Sequence, residues 1–357
     1  MEEKPKIAKQ KVFFIACFLI IFCIPVLSGD WIQIFFNNPE TRTIINLAKN
    51  KSEINQNYEK SLFFRKELTI LNNTIRLNVL KERIFSDVLI GNNGWLYYSG
   101  ESNLEDYQKT RKFNKTEIEE IKKQIRTTTN WMSKNNIKFY IVIAPNKETI
   151  QPEHLPEFIK VAGTENRLDQ IKRIIDQDIN KTIIDISVKL LEESKKEDLY
   201  YLTDTHWNSI GALIGYQTTF GKINQDGMEF RIKNLEDFYL EEEIVRGDLS
   251  NLLPLYSTLE EKSITLIPKE KIRATGYDTD VSNISISEID DSSLKKAIIF
   301  HDSFMNGMMP YFSENFKKCV YVHQFKIDYD LIEREKPDIV IVEIAERYLE
   351  KLLTINE

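Results

Sequence analysis

The chain has 357 residues, of which 42% are apolar and 29% charged, and its formal net charge is -7. That much apolar sequence buries a real core, enough for one large domain with an appendage or for two modest domains. Lys and Asp/Glu are mixed along the chain rather than segregated, which leaves no basic footprint for nucleic acid.

The first element is a membrane-targeting segment. Lys4, Lys6, Lys9 and Lys11 precede an uninterrupted apolar run from Val12 to Leu27, and the next acidic residue is Asp30. Pro25-Val26-Leu27-Ser28-Gly29 is a poor small-x-small cleavage site, so the run reads as an uncleaved transmembrane anchor over residues 1–29 rather than a removed signal peptide. Lysines before it leave residues 30–357 outside the cytoplasm, on a single-pass protein of the cell membrane. Cys17 and Cys23 lie inside the run, so the exported part retains Cys319 alone and has no internal disulfide.

Residues 30–87 are polar, with apolar positions such as Ile44, Ile45 and Leu47 and then Leu62, Leu68 and Leu71 at helical spacing. They predict a helical linker near the membrane. Val88-Leu89-Ile90 and Trp95-Leu96-Tyr97-Tyr98 flank a Gly/Asn turn, a hairpin signal that opens the main domain, 88–357. From there the chain alternates. Helical patterns at 115–134, 165–178 and 207–220 separate strand-like runs at 137–144 and 182–186, and further strands fall at 296–300, 319–322 and 338–342. Buried strands alternating with helices predict an α/β fold with a parallel sheet flanked by helices. Residues 224–295 break the rhythm with acidic, turn-rich sequence and read as an insertion over the sheet edge.

In such a sheet the ligand crevice lies at the carboxyl ends of the strands. Ser303 falls between the strand ending at Phe300 and a helical stretch from Met305 to Phe316, the place for a nucleophile with backbone N–H groups nearby. The alternative is a Ser that merely caps the helix. Asp204-x-His206 is read at the start of an amphipathic helix, where a carboxylate two residues back can hold Nδ1–H and turn Nε2 outward. A capping Asp204 or Thr205, or a metal pair, are the alternatives; a metal needs a third ligand, and the sequence offers no Cys/His cluster of zinc type. His154 and His323 have structural contexts, and His301 is the rival base. No cofactor is expected.

These residues carry a resemblance. Asp204-Thr205-His206-Trp207-Asn208 followed by Asp302-Ser303-Phe304 resembles the alginate O-acetyltransferase family of SGNH-hydrolase-like proteins with a DxHW motif. Gly94-Trp95-Leu96-Tyr97, Ala144-Pro145-Asn146-Lys147-Glu148-Thr149, Gly247-Asp248-Leu249 and Glu346-Arg347-Tyr348-Leu349 add to it, in order, over residues 88–350. The resemblance implies an SGNH-hydrolase-like (flavodoxin-like) fold outside the cytoplasm, with Ser303 as nucleophile, His206 as base and Asp204 as its orienter. Trp207, Asn208, Asn306 and Arg347 are the expected substrate contacts, Arg347 with a helix-end salt bridge as its other reading. It further implies acetyl transfer to a polysaccharide acceptor, with acetyl supplied by a multi-pass membrane acyltransferase of the MBOAT type. A carbohydrate esterase with the same triad and a non-catalytic polysaccharide-assembly protein are the rival readings. The chain departs from the family where SGNH enzymes read Gly-Asp-Ser, having His301-Asp302-Ser303, and its oxyanion-hole side chains have no sequence assignment.

Overall fold

The computed structural model describes residues 65–174, 182–253, 259–278 and 283–356. The apolar run at 12–27 and the chain to residue 64 lie outside them, as do residues 175–178 of the helix expected at 165–178; among the described residues no helix is long and apolar enough to cross a membrane. The chain divides into two compact units, Met1–Glu82 and Arg83–Glu357. The described part of the first is helix α1 (Arg65–Asn78), with Arg76 paired to Glu82 beyond its end at 2.6 Å.

The second unit opens with a small antiparallel sheet of β1 (Ile84–Phe85), β2 (Val88–Ile90) and β3 (Leu96–Tyr98). Helix α2 (Asn103–Tyr107) follows, and α3 (Lys115–Lys134) then begins at a capping box between Asn114 and Glu117. Its Ile121, Ile125 and Met132 recur on one face and are buried. Next come β4 (Lys138–Ala144), α4 (Lys147–Ile150), α5 (Arg167–Ile174), β5 (Ile183–Asp185), α6 (Ser187–Glu193) and α7 (Ser209–Gln225). β6 (Phe238–Val245), α8 (Asp248–Leu252), β7 (Glu261–Pro268), β8 (Thr275–Asp278) and β9 (Ile284–Glu288) fill the expected insertion. The chain closes with β10 (Lys295–Phe300), α9 (Met305–Ser313), β11 (Phe316–Val322), α10 (Tyr329–Glu335), β12 (Ile339–Ala345) and a 3-10 helix at Glu346–Thr354.

The central sheet runs β5-β4-β12-β10-β11-β9-β8. Its first five strands are parallel, and β9 and β8 add antiparallel to one edge. This α/β sheet is therefore mixed where a parallel one was expected. The reason lies in Ile284-Ser285-Ile286-Ser287, whose alternation suits a half-buried antiparallel strand and not a βαβ crossover. β12 is buried along its whole length, and its side chains alternate between two helix layers. Ile339, Ile341 and Ala345 join the core under α7 and α9; Val340, Val342 and Ile344 join the core under α3, α10 and the 3-10 helix. The carboxyl ends of β4, β12 and β10 thus lie side by side, and the segments leaving them build the site.

Candidate active site

The Asp-x-His pair sits on a short loop pinched at its base. Tyr200 and Trp207 form an antiparallel bridge, Tyr201 N–H donates to His206 O (3.2 Å), and Asn208 N–H to Leu199 O (2.9 Å). The helix begins later than expected, at Ser209. Asn208 is its cap, its Oδ1 accepting from the N–H groups of Ile210 (3.1 Å) and Gly211 (3.0 Å). Asp204 and His206 therefore belong to the loop, and neither Asp204 nor Thr205 caps.

Asp204 Oδ1 lies 2.6 Å from His206 Nδ1 and accepts the His206 N–H at 2.9 Å, while Oδ2 accepts the Asp248 N–H at 2.8 Å. Burial alone would raise this carboxyl, but the bonds and charge of His206 and the N–H of Asp248 outweigh it and hold Asp204 down to about 2. The ionised carboxylate fixes the proton on Nδ1 and leaves Nε2 as an acceptor.

Three charged residues from other segments hold the loop's backbone. Asp248, at the first turn of α8, accepts the Thr205 N–H through Oδ1 (2.9 Å) and its hydroxyl through Oδ2, 3.7 Å from His206 Nδ1. Gly247 packs so close that a Cβ there would meet Thr203 C and O at 2.2 Å and Asp204 N at 2.4 Å, so only glycine admits Asp248 to this position. Glu261, at the start of β7, accepts the N–H groups of Leu202 (2.6 Å) and Thr203 (2.7 Å). Lys147, buried beneath Trp95 and Tyr97, donates to the carbonyls of Leu96, Leu202 and Asp204 at 2.6, 3.0 and 3.1 Å. Burial pushes its ammonium down to about 7 despite the neighbouring carboxylates. The sequence reading assigned none of these roles. Lys147 and Asp248 stood in quoted motifs, whereas Glu261 had no signal at all.

Ser303 stands on the turn between β10 and α9. Asp302 builds that turn: its Oδ1 accepts the Phe304 N–H (2.9 Å) and its Oδ2 the Ala345 N–H at the end of β12 (2.7 Å). Glu343 accepts the Asp302 N–H at 3.2 Å, and burial holds its carboxyl well above the ordinary range. The cap position of α9 is Phe304, so Ser303 does not cap it. Its Oγ lies 2.7 Å from His206 Nε2, and its N–H has no intramolecular acceptor among the described residues. Phe304 packs beneath both sides of this contact, 4.9 Å from the His206 ring and 5.1 Å from Trp207.

His301, the rival base, is turned elsewhere. Its ring stacks on His323 at 5.3 Å, its Nδ1 lies 2.6 Å from Asp302 O, and desolvation holds its pKa down to about 4. Trp207, Asn208 and Asn306 line one cleft of about 620 Å³ with Asp204, His206 and Ser303. Arg347 lies outside that lining. It is buried, its guanidinium 5.1 to 5.4 Å from the rings of Tyr98, Phe304 and Tyr348 and its Nε 3.7 Å from Glu101. The third metal ligand that the sequence lacked is present, since donor atoms of Asp204, His206 and Asp248 lie within 4.8 Å of one another. All four carboxylate oxygens are already engaged, by His206, the Asp248 N–H and Thr205. Chemically, the arrangement can accept a proton from the Ser303 hydroxyl onto Nε2 and stabilise the resulting imidazolium against Asp204.

A mixed α/β sheet that presents a serine on a strand-to-helix turn, beside an Asp-x-His loop earlier in the chain, is of the SGNH hydrolase-like class. Residues 88–283, more than half of the chain, match the family of the SGNH hydrolase-like domain of the acetyltransferase AlgX, and the chain belongs to that family. Asp204 and His206 fall inside the match, and Ser303 lies beyond its end. Among solved structures, Bacillus cereus PatB1 shares the fold at 19% identity and a TM-score of 0.57, covering 73% of this chain and 96% of that one. PatB1 with a sulfonyl adduct gives 17%, 0.56, 76% and 97%. A DHHW family protein from Eubacterium siraeum is similar at 17% identity and a TM-score of 0.51, over 76% of this chain and 97% of that one. No curated protein matches the sequence significantly. Membership in an acetyltransferase family supports acyltransferase activity for the chain.

Proposed function

We propose that this chain is a membrane-anchored, extracytoplasmic O-acetyltransferase that moves acetyl groups onto hydroxyls of a cell-surface polysaccharide through an acyl-Ser303 intermediate. The reading is carried by the 2.7 Å contact between Ser303 Oγ and His206 Nε2, with Asp204 behind the ring at 2.6 Å. His206 Nε2 takes the Ser303 proton as Oγ bonds to the acetyl carbonyl carbon, and the Ser303 N–H faces the oxyanion that forms. The intermediate collapses with loss of the donor's leaving group, which receives the proton from Nε2. A sugar hydroxyl then gives its proton to Nε2 and attacks the acyl carbon. The Oγ–carbon bond breaks, and Oγ recovers the proton.

The Lys-flanked apolar run at residues 12–27 supports the anchor and a domain facing outward, beside a multi-pass acyltransferase of the MBOAT type as acetyl source. The test is acetyl release from a chromogenic ester with and without an oligosaccharide acceptor, using wild type and Ser303→Ala. Ser303-dependent transfer to the sugar supports the proposal. Release that no acceptor diverts indicates an esterase, and an inert wild type with correct folding indicates an assembly protein. Fractionation and protease treatment of intact protoplasts test the anchor, since the proposal places everything beyond about residue 30 within protease reach.

A further inference from the structure

The cleft beside Ser303 is far larger than a two-carbon acyl group requires. Along α9 it runs from Asn306 to Ser313, about 10 Å at 1.5 Å per residue. Its walls carry the hydroxyl residues Ser209 and Ser313 between apolar and aromatic surfaces such as Phe238, Leu266 and Tyr311. Hydroxyls interleaved with aromatic rings suit the edges and faces of sugar rings.

The charges of this cleft are more telling. Among the described residues its lining holds one cation, Lys233, whose Nζ lies 3.9 Å from Glu314 Oε2 with both side chains about nine-tenths buried. Glu314 also accepts the N–H groups of Arg273 and Ala274, so it is fixed where it meets Lys233. The stretches 254–258 and 279–282, outside the described residues, contain no Lys or Arg. A second depression shares Tyr201 and Asn208 with the cleft. Its lining has five carboxylates, Glu197, Asp198, Glu242, Glu260 and Glu261, against the single cation Lys262. Lys262 pairs with Glu242 at 3.2 Å and Arg246 with Glu260 at 2.8 Å, which leaves Glu197 and Asp198 with no cation partner among the described residues.

A sugar carboxylate or phosphate that left water for the lining of these two depressions would find its described cations, Lys233 and Lys262, already paired with carboxylates. Resting on the acetyltransferase reading, we infer that the acceptor strand in this cleft is an uncharged glycan and that polyuronates and other polyanions are excluded by charge. Alginate, which names the family resembled in sequence, is a polyuronate; the charge of this cleft separates the chain's acceptor from that class.

The experiment offers the full-length enzyme a chromogenic acetate ester with two acceptors of equal length, a neutral β-linked hexose hexamer and a hexuronate hexamer, and measures acetylated product by mass spectrometry. The neutral hexamer should be acetylated at least about 10-fold faster. Its rate should hold steady with salt, while the uronate rate should rise as the Debye length shortens to about 8 Å at physiological ionic strength. Glu197→Lys with Glu242→Lys, both on exposed side chains, should raise the uronate rate several-fold relative to the neutral one. Equal or faster transfer to the uronate in wild type overturns the inference, as does Ser303-dependent ester hydrolysis with transfer to neither hexamer. Absence of Ser303-dependent hydrolysis instead removes the acetyltransferase reading beneath it.

Discussion

Removing the carboxylate of Asp248 should disarm His206 without touching it. In Asp248→Ala the Thr205 N–H and hydroxyl lose their acceptors, while the backbone N–H that binds Asp204 Oδ2 remains. A hydrogen bond to an ionised group contributes about 1.5 to 3 kcal/mol, and Asp248 is 45% exposed, so water replaces part of what is lost. A total near 2 to 3 kcal/mol is reasonable for the pair, and at about 1.4 kcal/mol per tenfold it corresponds to a roughly 30- to 150-fold fall in kcat/KM. Asp248→Asn retains one carbonyl oxygen for Thr205 and should fall between wild type and Ala. The assay is hydrolysis of a chromogenic acetate ester with kcat and KM resolved, alongside thermal melting. The loss should appear in kcat, because Thr205 touches the loop and not the ester. If Asp248→Ala keeps kcat within about threefold of wild type, or if its activity falls only in step with its melting temperature, the idea that Asp248 aligns His206 is wrong.

Three further outcomes are expected. Ser303→Ala and His206→Ala should each lower acyl transfer by at least about 10³, and the double variant should lose little more, since the two groups act as a unit; additive losses in a double-mutant cycle would count against the triad. The carboxyl of Asp204 is depressed in the fold from its usual value to about 2, so its contribution to stability is complete above roughly pH 4 and disappears as the pH falls toward 2; chemical denaturation should find wild type more stable than Asp204→Asn by about 2 kcal/mol near neutrality, with the gap closing in acid, and a gap independent of pH would contradict the assignment. Gly247→Ala forces a Cβ into the Thr203–Asp204 backbone, and the loop must shift; circular dichroism should report a folded protein with acyl transfer down at least about 100-fold, and near-normal turnover would show that the close approach is dispensable.

The sequence made the scaffold legible where hydrophobic period and length agree. The strand at 138–144 and the helix at 115–134 are local patterns that the core rewards, so the expected and observed boundaries nearly coincide. The start of α7 was misread because Trp207 belongs to the apolar pattern while Asn208 is the residue whose side chain satisfies the helix N–H groups. The antiparallel edge was missed because Ile284-Ser285-Ile286-Ser287 is too short and too polar to stand out from an acidic insertion. For the site, the meeting of Asp204, His206 and Ser303 was legible through local chemistry and the order of motifs, whereas the surroundings of Arg347 were not. Its guanidinium is enclosed by Tyr98, Phe304 and Tyr348, rings drawn from three distant segments, and no spacing along the chain encodes that enclosure.

The residues whose roles had no sequence assignment share one physical feature: each acts on backbone. Lys147, Asp248 and Glu261 hold carbonyls and N–H groups of residues 202–205, and a backbone group has no identity in a sequence. Two of the three come from the stretch that interrupts the α/β rhythm, as do Phe238 and Leu266 in the wall of the cleft. The interruption is thus structurally part of the site. Asp204 and His206 sit on a loop closed at its base by one bridge of two main-chain bonds, too few to fix an imidazole against a serine 97 residues away in the chain. Charged side chains from β7, α8 and α4 supply the missing constraint, each satisfying backbone groups that would otherwise lie buried and unpaired. The alignment of His206 on Ser303 therefore depends on the folding of the inserted segment as much as on the sheet that carries the serine.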